Sequence, residues 1–193
     1  MAGTIRVVTS AFLRTIDSPA RHRTRRAILA AAATVLAGDR TATVAEVAEA
    51  AEVGRSTLHR YFPDREELVR AVAADSGRTL AESVRQAAPD QGPPSDALRR
   101  LVVALMDTGD RLRFLAATRQ LPDLPAVREL IERGQAAGVL DPRLGPEWIR
   151  QALWALVQAG CEEVARGRMH RHGATATVIH TLENGVAART LDG

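Results

Sequence analysis

Residues 43–65, T-V-A-E-V-A-E-A-A-E-V-G-R-S-T-L-H-R-Y-F-P-D-R, constrain the fold more than any other stretch of the chain. Two helical patterns sit there, with room between them only for a tight turn. In the first, Val44, Val47, Ala48 and Ala51 fall at i, i+3, i+4 and i+7, one stripe of an α-helix. Thr43 precedes the stripe and Glu46 follows three residues later, so a hydroxyl and a carboxylate can each satisfy an orphan amide at the helix start. The second pattern runs from about Arg55 to Tyr61, with Leu58 inward and Arg55, Ser56, Thr57 and His59 outside. A helix this short is marginal alone, and its outer face offers donors and hydroxyls. The spacing predicts a helix-turn-helix with its second helix laid in a DNA groove.

Charge supports that reading. The formal net charge of +3 hides an asymmetry: residues 1–65 hold ten Arg against six Asp and Glu, whereas residues 66–193 hold sixteen against seventeen. The basic front third is the footprint expected of a nucleic-acid module. All 26 basic residues are Arg, which we read as compositional bias. With 193 residues, 46% of them hydrophobic, the chain has ample material for a core. Cys161 is the only cysteine, so no intramolecular disulfide is expected. The longest uncharged run near the front, residues 27–38, falls short of the roughly 18 residues of a membrane span. Arg6 and Arg14 interrupt the apolar N-terminus, unlike a signal peptide. A cytoplasmic location and no membrane partner are the expectation.

Along the chain, residues 1–18 show no clear period, apart from a doubtful strand pattern at 4–8, and are expected to be an arm. Ser18-Pro19 reads as an N-cap and first helical residue. The helix it opens runs to about Ala37, with Ile28, Leu29, Ala32, Val35 and Leu36 inward and Gly38 as a left-handed stop. Arg21, Arg23, Arg25 and Arg26 crowd its first half against the helix dipole, which suggests phosphate contact. Asp64 and Glu67 start a fourth helix, with a break allowed near Gly77, and the run from Pro89 to Pro94 is a loop. Helices follow from Ser95, over Arg111–Thr118 and over Ala126–Ala137, the last stopped by Gly138. The next, from Pro146 to about Arg166, carries two apolar stripes. Ile149, Leu153, Leu156, Val157, Gly160 and Val164 form one; Trp148, Ala152, Ala155 and Ala159 form the other. Such a helix is central or lies in an interface. A final helix spans roughly Ala174 to Arg189. The fold class is all-α, with about nine helices.

Enzyme readings find no support: there is no Gly-rich phosphate loop, no G-x-S-x-G and no Cys–His pair in a motif. His170-Arg-His172 lacks the neighbouring acids or cysteines of a metal site. No cofactor or metal is expected.

Residues 24–72 resemble the tetracycline-repressor (TetR) family of bacterial transcription regulators. The resemblance rests on T-R-R-A-I-L-A-A-A in the first helix, T-V-A-E-V-A-E-A-A at 43–51, S-T-L-H-R-Y-F-P-D at 56–64 and R-E-E-L at 65–68. Three residues depart from the family's pattern: Glu52 stands where its turn has Gly, Gly54 where it has a Ser cap, and His59 where it has Tyr. Beyond residue 75 the likeness is architectural, with Q-A-A-G-V-L-D at 135–141 and two long terminal helices.

The resemblance implies a helix-turn-helix DNA-binding domain over 19–65 and a helical ligand-sensing and dimerisation domain over 66–193. DNA contacts would fall on Arg25, Thr43, Arg55, Ser56, Thr57, His59, Tyr61 and Arg65. Arg55 would grip guanine bidentately; Thr43, His59, Tyr61 and Arg65 would hold phosphates. The last two helices would pair with those of a second copy through Ala152, Ala155, Ala159, Gly160, Val178, Leu182 and Gly185. Met106, Leu112, Phe114, Trp154 and Cys161 are candidates to line an inducer pocket. With 3% aromatic residues, that pocket is expected to suit an aliphatic ligand better than a flat multi-ring cation. The function implied is a repressor that binds palindromic operator DNA as a homodimer and is released by a small-molecule inducer. A ligand-independent activator or architectural DNA-binding protein is the alternative.

Overall fold

The structure is a computed structural model and describes residues 19–186. The N-terminal arm, the strand pattern at 4–8 and the last residues of the final helix pattern lie outside the described residues. Among those described, nine helices follow one another and no strand forms. They are α1 (Pro19–Gly38), α2 (Val44–Ala50), α3 (Arg55–Tyr61), α4 (Arg65–Gln86), α5 (Pro94–Asp107), α6 (Gly109–Ala117), α7 (Pro125–Ala136), α8 (Pro146–Ala165) and α9 (Arg171–Gly185).

Ile28, Leu29, Ala32, Ala33 and Leu36 make one buried stripe of α1, which packs on α2, α4 and α6. Each Ile or Leu hidden this way contributes about 1.5–3 kcal/mol. Val47 and Ala48 of α2, Leu58 of α3 and Phe62 just beyond it close the N-terminal core. At 22 residues, α4 is roughly 33 Å long at helical rise and runs from that core into the rest of the bundle. Its N-cap is Asp64, which accepts from the Glu67 amide at 2.8 Å, as the sequence suggested. Arginines from two helices satisfy the carbonyls of the loop after α4. Arg100 donates to Ala87, Ala88 and Gln91, and Arg133 to Pro89 and Gly92.

Four local expectations need correction. Gly38 is not left-handed; the Asp39 amide still bonds the Val35 carbonyl at 2.8 Å, so the helix continues through it. The chain turns afterwards, where the Asp39 carboxylate accepts from the amide and hydroxyl of Thr41. No break occurs at Gly77, where α4 runs on from Arg65 to Gln86. Pro93 and Pro94, not Ser95, start α5. α6 opens two residues early at Gly109, which brings Asp110 into its first turn.

At the turn after α2, the Glu52 amide bonds the Glu49 carbonyl and the Val53 amide reaches the Ala48 carbonyl. This Schellman ending puts its reversing residue in the left-handed region, and Glu52 holds a φ of 54° there. A side chain in this region costs on the order of 1 kcal/mol relative to glycine. The opposite constraint acts where α8 meets α9. A Cβ on Gly160 would lie 2.9 Å from Val178 Cγ2 and 3.1 Å from Met106 Cε, so only glycine lets these helices approach so closely.

These two sites predict opposite responses in thermal or urea melts. Glu52→Gly stabilises the protein by about 0.5–1 kcal/mol. Gly160→Ala destabilises it by about 1–3 kcal/mol, and adding Val178→Ala recovers part of that loss. No recovery in the double variant would mean that the clash lies elsewhere.

Candidate functional site

The reading helix α3 is short because its sequence leaves it few anchors. Its N-cap, Gly54, makes no side-chain cap bond, and Leu58 is its buried residue. Arg55, Ser56, His59 and Arg60 are exposed on one outer face, with Thr57 half-buried at its edge. Arg60 was not among the expected contacts. Its position one turn beyond Ser56, at i+4, was the available signal.

Two arginines of α1 lie against the end of α3. The Arg25 guanidinium lies 5.4 Å above the Phe62 ring, and that of Arg21 lies 5.5 Å above the Tyr61 ring. The arginine crowding in α1 therefore has a structural use: cation–π contacts fix the C-terminal end of the reading helix. Arg25, half-buried on Phe62, is a support for that helix before it is a phosphate ligand.

Two expected phosphate contacts, Thr43 and Arg65, already have partners within the chain. Thr43 does form the capping box. Its amide donates to Glu46 Oε2 at 2.6 Å, its hydroxyl donates to the same oxygen at 2.7 Å, and the Glu46 amide donates back to Thr43 Oγ1. The amide bond first, then the hydroxyl bond, holds the Glu46 carboxyl below its usual pKa. Both Thr43 donors are thus spent on a carboxylate, and helix geometry leaves the Val44 and Ala45 amides as the open donors at this end. Arg65 turns inward over the same corner, with Nε bonding the Ala42 carbonyl at 3.4 Å and Nη2 bonding the Arg40 carbonyl. It staples the first residue of α4 to the turn that delivers α2.

A cavity of about 490 Å³ lies farther down α1. Its wall combines Ala30, Ala33 and Thr34 of α1 with Thr79 and Ser83 of α4. The α5–α6 junction from Met106 to Arg111 adds to it, and α8 with the start of α9 supplies Cys161, Val164 and Arg171. Met106 and Cys161 line it as expected. Leu112, Phe114 and Trp154 do not, because Leu112 and Phe114 point from α6 into the core, while Trp154 sits two turns up α8 from Cys161. The wall is also more polar than the sequence suggested, with Asp107, Asp110, Arg111 and Arg171 on it. Burial pushes the Cys161 thiol up to about 11, so it is a poor nucleophile despite facing the cavity.

The two stripes of α8 differ in burial. Ile149, Leu153, Val157 and Gly160 of the first are buried and Leu156 and Val164 half-buried, whereas Trp148, Ala155 and Ala159 of the second are exposed and Ala152 is half-buried. Three of the expected interface residues are therefore core: Gly160, Val178 and Leu182 pack within their own chain, where α8 and α9 meet. Gly185 remains exposed on α9.

Residues 28–72 match the model of the family described as bacterial regulatory proteins, tetR family. The chain is 38% identical over 179 residues to the HTH-type transcriptional repressor LfrR of Mycolicibacterium smegmatis, covering 89% of this chain and 94% of that protein. The chain belongs to the TetR family. A crystal structure of the TetR-like regulator LfrR from Mycobacterium smegmatis in complex with proflavine superposes with a TM-score of 0.69, covering 89% of this chain and 99% of that one. The HTH-type transcriptional regulator NfxB of Pseudomonas aeruginosa is 30% identical over 156 residues, covering 74% of this chain and 81% of that protein. Within the TetR-family match at 28–72 fall Thr43, the outer face of α3 and Arg65.

Reader and staple separate in DNA-binding titrations at several salt concentrations. Arg55→Ala relaxes base preference at one position per half-site, by about 1–3 kcal/mol. Arg65→Ala weakens binding to every sequence while leaving the salt dependence unchanged, since its guanidinium is held by carbonyls. A salt slope lowered by about one in Arg65→Ala would return that residue to the phosphates.

Proposed function

We propose that this TetR-family protein is a ligand-responsive repressor that binds palindromic operator DNA as a homodimer and releases it when a small molecule fills the cavity. The observation that carries this reading is the span of α1. Its first half holds the reading helix through Arg21 and Arg25, and its last turns wall the cavity through Ala30, Ala33 and Thr34. One rigid element therefore touches both the DNA-reading face and the space a ligand would occupy. LfrR, named a repressor and crystallised with proflavine, supports the same pairing of functions. In this reading residues 19–65 contact DNA and residues 66–193 sense the ligand and dimerise.

Dimerisation rests on the outer face of α8. Trp148, Ala152, Ala155 and Ala159 fall at i, i+4, i+7 and i+11, and Trp148 is 63% exposed. A large aromatic beside a track of small residues gives a second copy an anchor and room for close approach. Gly185 of α9 is also exposed. One seven-residue helix reads little by itself; two of them about 34–36 Å apart read a palindrome.

The cavity suits an amphipathic cation better than the purely aliphatic ligand expected from composition. Ala30, Ala33, Met106 and Val164 offer an apolar side, Asp110 offers a carboxylate oxygen held only by a hydroxyl, and no aromatic ring among the described residues lines the wall.

Glutamates placed together at Ala155 and Ala159, both exposed in the single chain, give a folded monomer by sedimentation that no longer retains a palindrome selected by the wild-type protein. A dimer that survives both substitutions would place the interface elsewhere.

A further inference from the structure

The cavity and α1 are joined by one side-chain hydrogen bond between groups that both line the wall. The Thr34 hydroxyl donates to Asp110 Oδ2 at 2.8 Å. Asp110 Oδ1 accepts from Arg113 at 3.2 Å. Arg113, only 11% exposed, bonds Glu162 of α8 at 3.0 Å and reaches the Ala37 carbonyl at the end of α1. The last turns of α1 are thereby clasped to α6 and, through Arg113, to α8. From Gly38 the chain runs directly into the Asp39 turn and the start of α2.

The charged groups around the cavity are otherwise paired with one another. Arg111 bonds the buried Asp75, and Arg171 bonds Asp107 at 3.2 Å. Both cavity arginines are therefore already neutralised, which disfavours an anionic ligand. Asp110 differs, because one of its oxygens is held by a neutral hydroxyl. A cationic donor entering the cavity can take that oxygen without breaking an existing ion pair, and gains a charge-assisted bond in doing so.

We propose that Asp110 is both the residue that recognises the cationic group of the ligand and the catch of the α1 clasp. Ligand binding transfers Asp110 Oδ2 from the Thr34 hydroxyl to the ligand's N–H, so the clasp and the bound ligand exclude one another. This rests on the cavity being the ligand site, as proposed above. Because coupling is reciprocal, a clasp that the ligand must open also weakens ligand binding. Removing Thr34's hydroxyl then tightens the ligand and uncouples it from DNA.

The test uses the full chain with three probes of matched shape: proflavine as a flat cation, acridine in mildly alkaline buffer as its uncharged counterpart, and anthracene carboxylate as an anion. Wild type is expected to bind proflavine best and to release selected operator DNA as it does so. Thr34→Val binds proflavine about five- to tenfold more tightly, and its DNA affinity becomes insensitive to proflavine. Thr34→Ser, which keeps the hydroxyl, behaves like wild type and separates loss of the bond from loss of packing. Asp110→Asn keeps an acceptor for Thr34 and retains DNA binding, but loses proflavine affinity at least about tenfold with acridine affinity unchanged. Melting curves of the variants establish that each is folded. Wild-type proflavine affinity and release in Thr34→Val would overturn the clasp, and unchanged proflavine affinity in Asp110→Asn would overturn the recognition. A wild-type preference for the anion would overturn the choice of ligand class. Binding of none of the probes by wild-type protein that still grips DNA would count against the cavity reading itself, and against this proposal with it.

Discussion

The buried stripe of α1 is the constraint on which the rest of the structure depends. Ile28, Leu29, Ala32 and Ala33 have no measurable exposure and Leu36 only 2%, so this helix cannot rotate or slide without opening the core. α2 and α3 are each seven residues long, far too short to hold themselves. They take their orientation from what they pack against: Val47, Ala48 and Leu58 on the inside, and the rings of Tyr61 and Phe62 under the arginines of α1. A close-packed helix responds to disturbance as a unit. That makes the proposed α1 clasp at Thr34 and Asp110 a physical lever, for a hydrogen bond at one end of a rigid rod bears on whatever is fixed to the other.

Electrostatics around this rod serve placement as much as DNA attraction. Arg65 is used on backbone carbonyls, Arg25 on an aromatic face, and the donors of Thr43 on the carboxylate of Glu46. The groups left outward on α3 are Arg55, Ser56, His59 and Arg60, a compact set in which two guanidiniums and an imidazole flank a hydroxyl. In the proposed function these outward groups face the nucleic acid, while Arg21, Arg25 and Arg65 place the helices that carry them.

Local pattern revealed the helix pair, its capping box, the long two-sided α8 and the likeness to the TetR family. All of these depend on neighbours within a turn or two of sequence. The division of labour among the contacts was hidden because it depends on partners far along the chain. Arg65 meets the carbonyls of Arg40 and Ala42, Gly160 meets Val178, and Thr34 meets Asp110 across 76 positions. Helical spacing put Gly160, Val178 and Leu182 on apolar faces but could not say whether those faces met their own chain or another. The same ambiguity misplaced Leu112, Phe114 and Trp154, because large apolar residues fill cores as readily as they line cavities. The polar groups of the cavity wall became visible only once α1, α4, α6 and α9 were brought together.

On the proposed mechanism, ligand occupancy moves α1 and, with it, the reading helices of the two copies of a homodimer. Spin labels attached through Glu49→Cys, exposed on α2, would measure the distance between those helices directly. Cys161 can stay in place, since its buried thiol is held at about 11 and reacts slowly. The account predicts one distance shared by free and DNA-bound protein and a distinct shift on saturation with a cationic ligand, absent in Thr34→Val. An unchanged distance at full ligand occupancy in the wild-type dimer would contradict it.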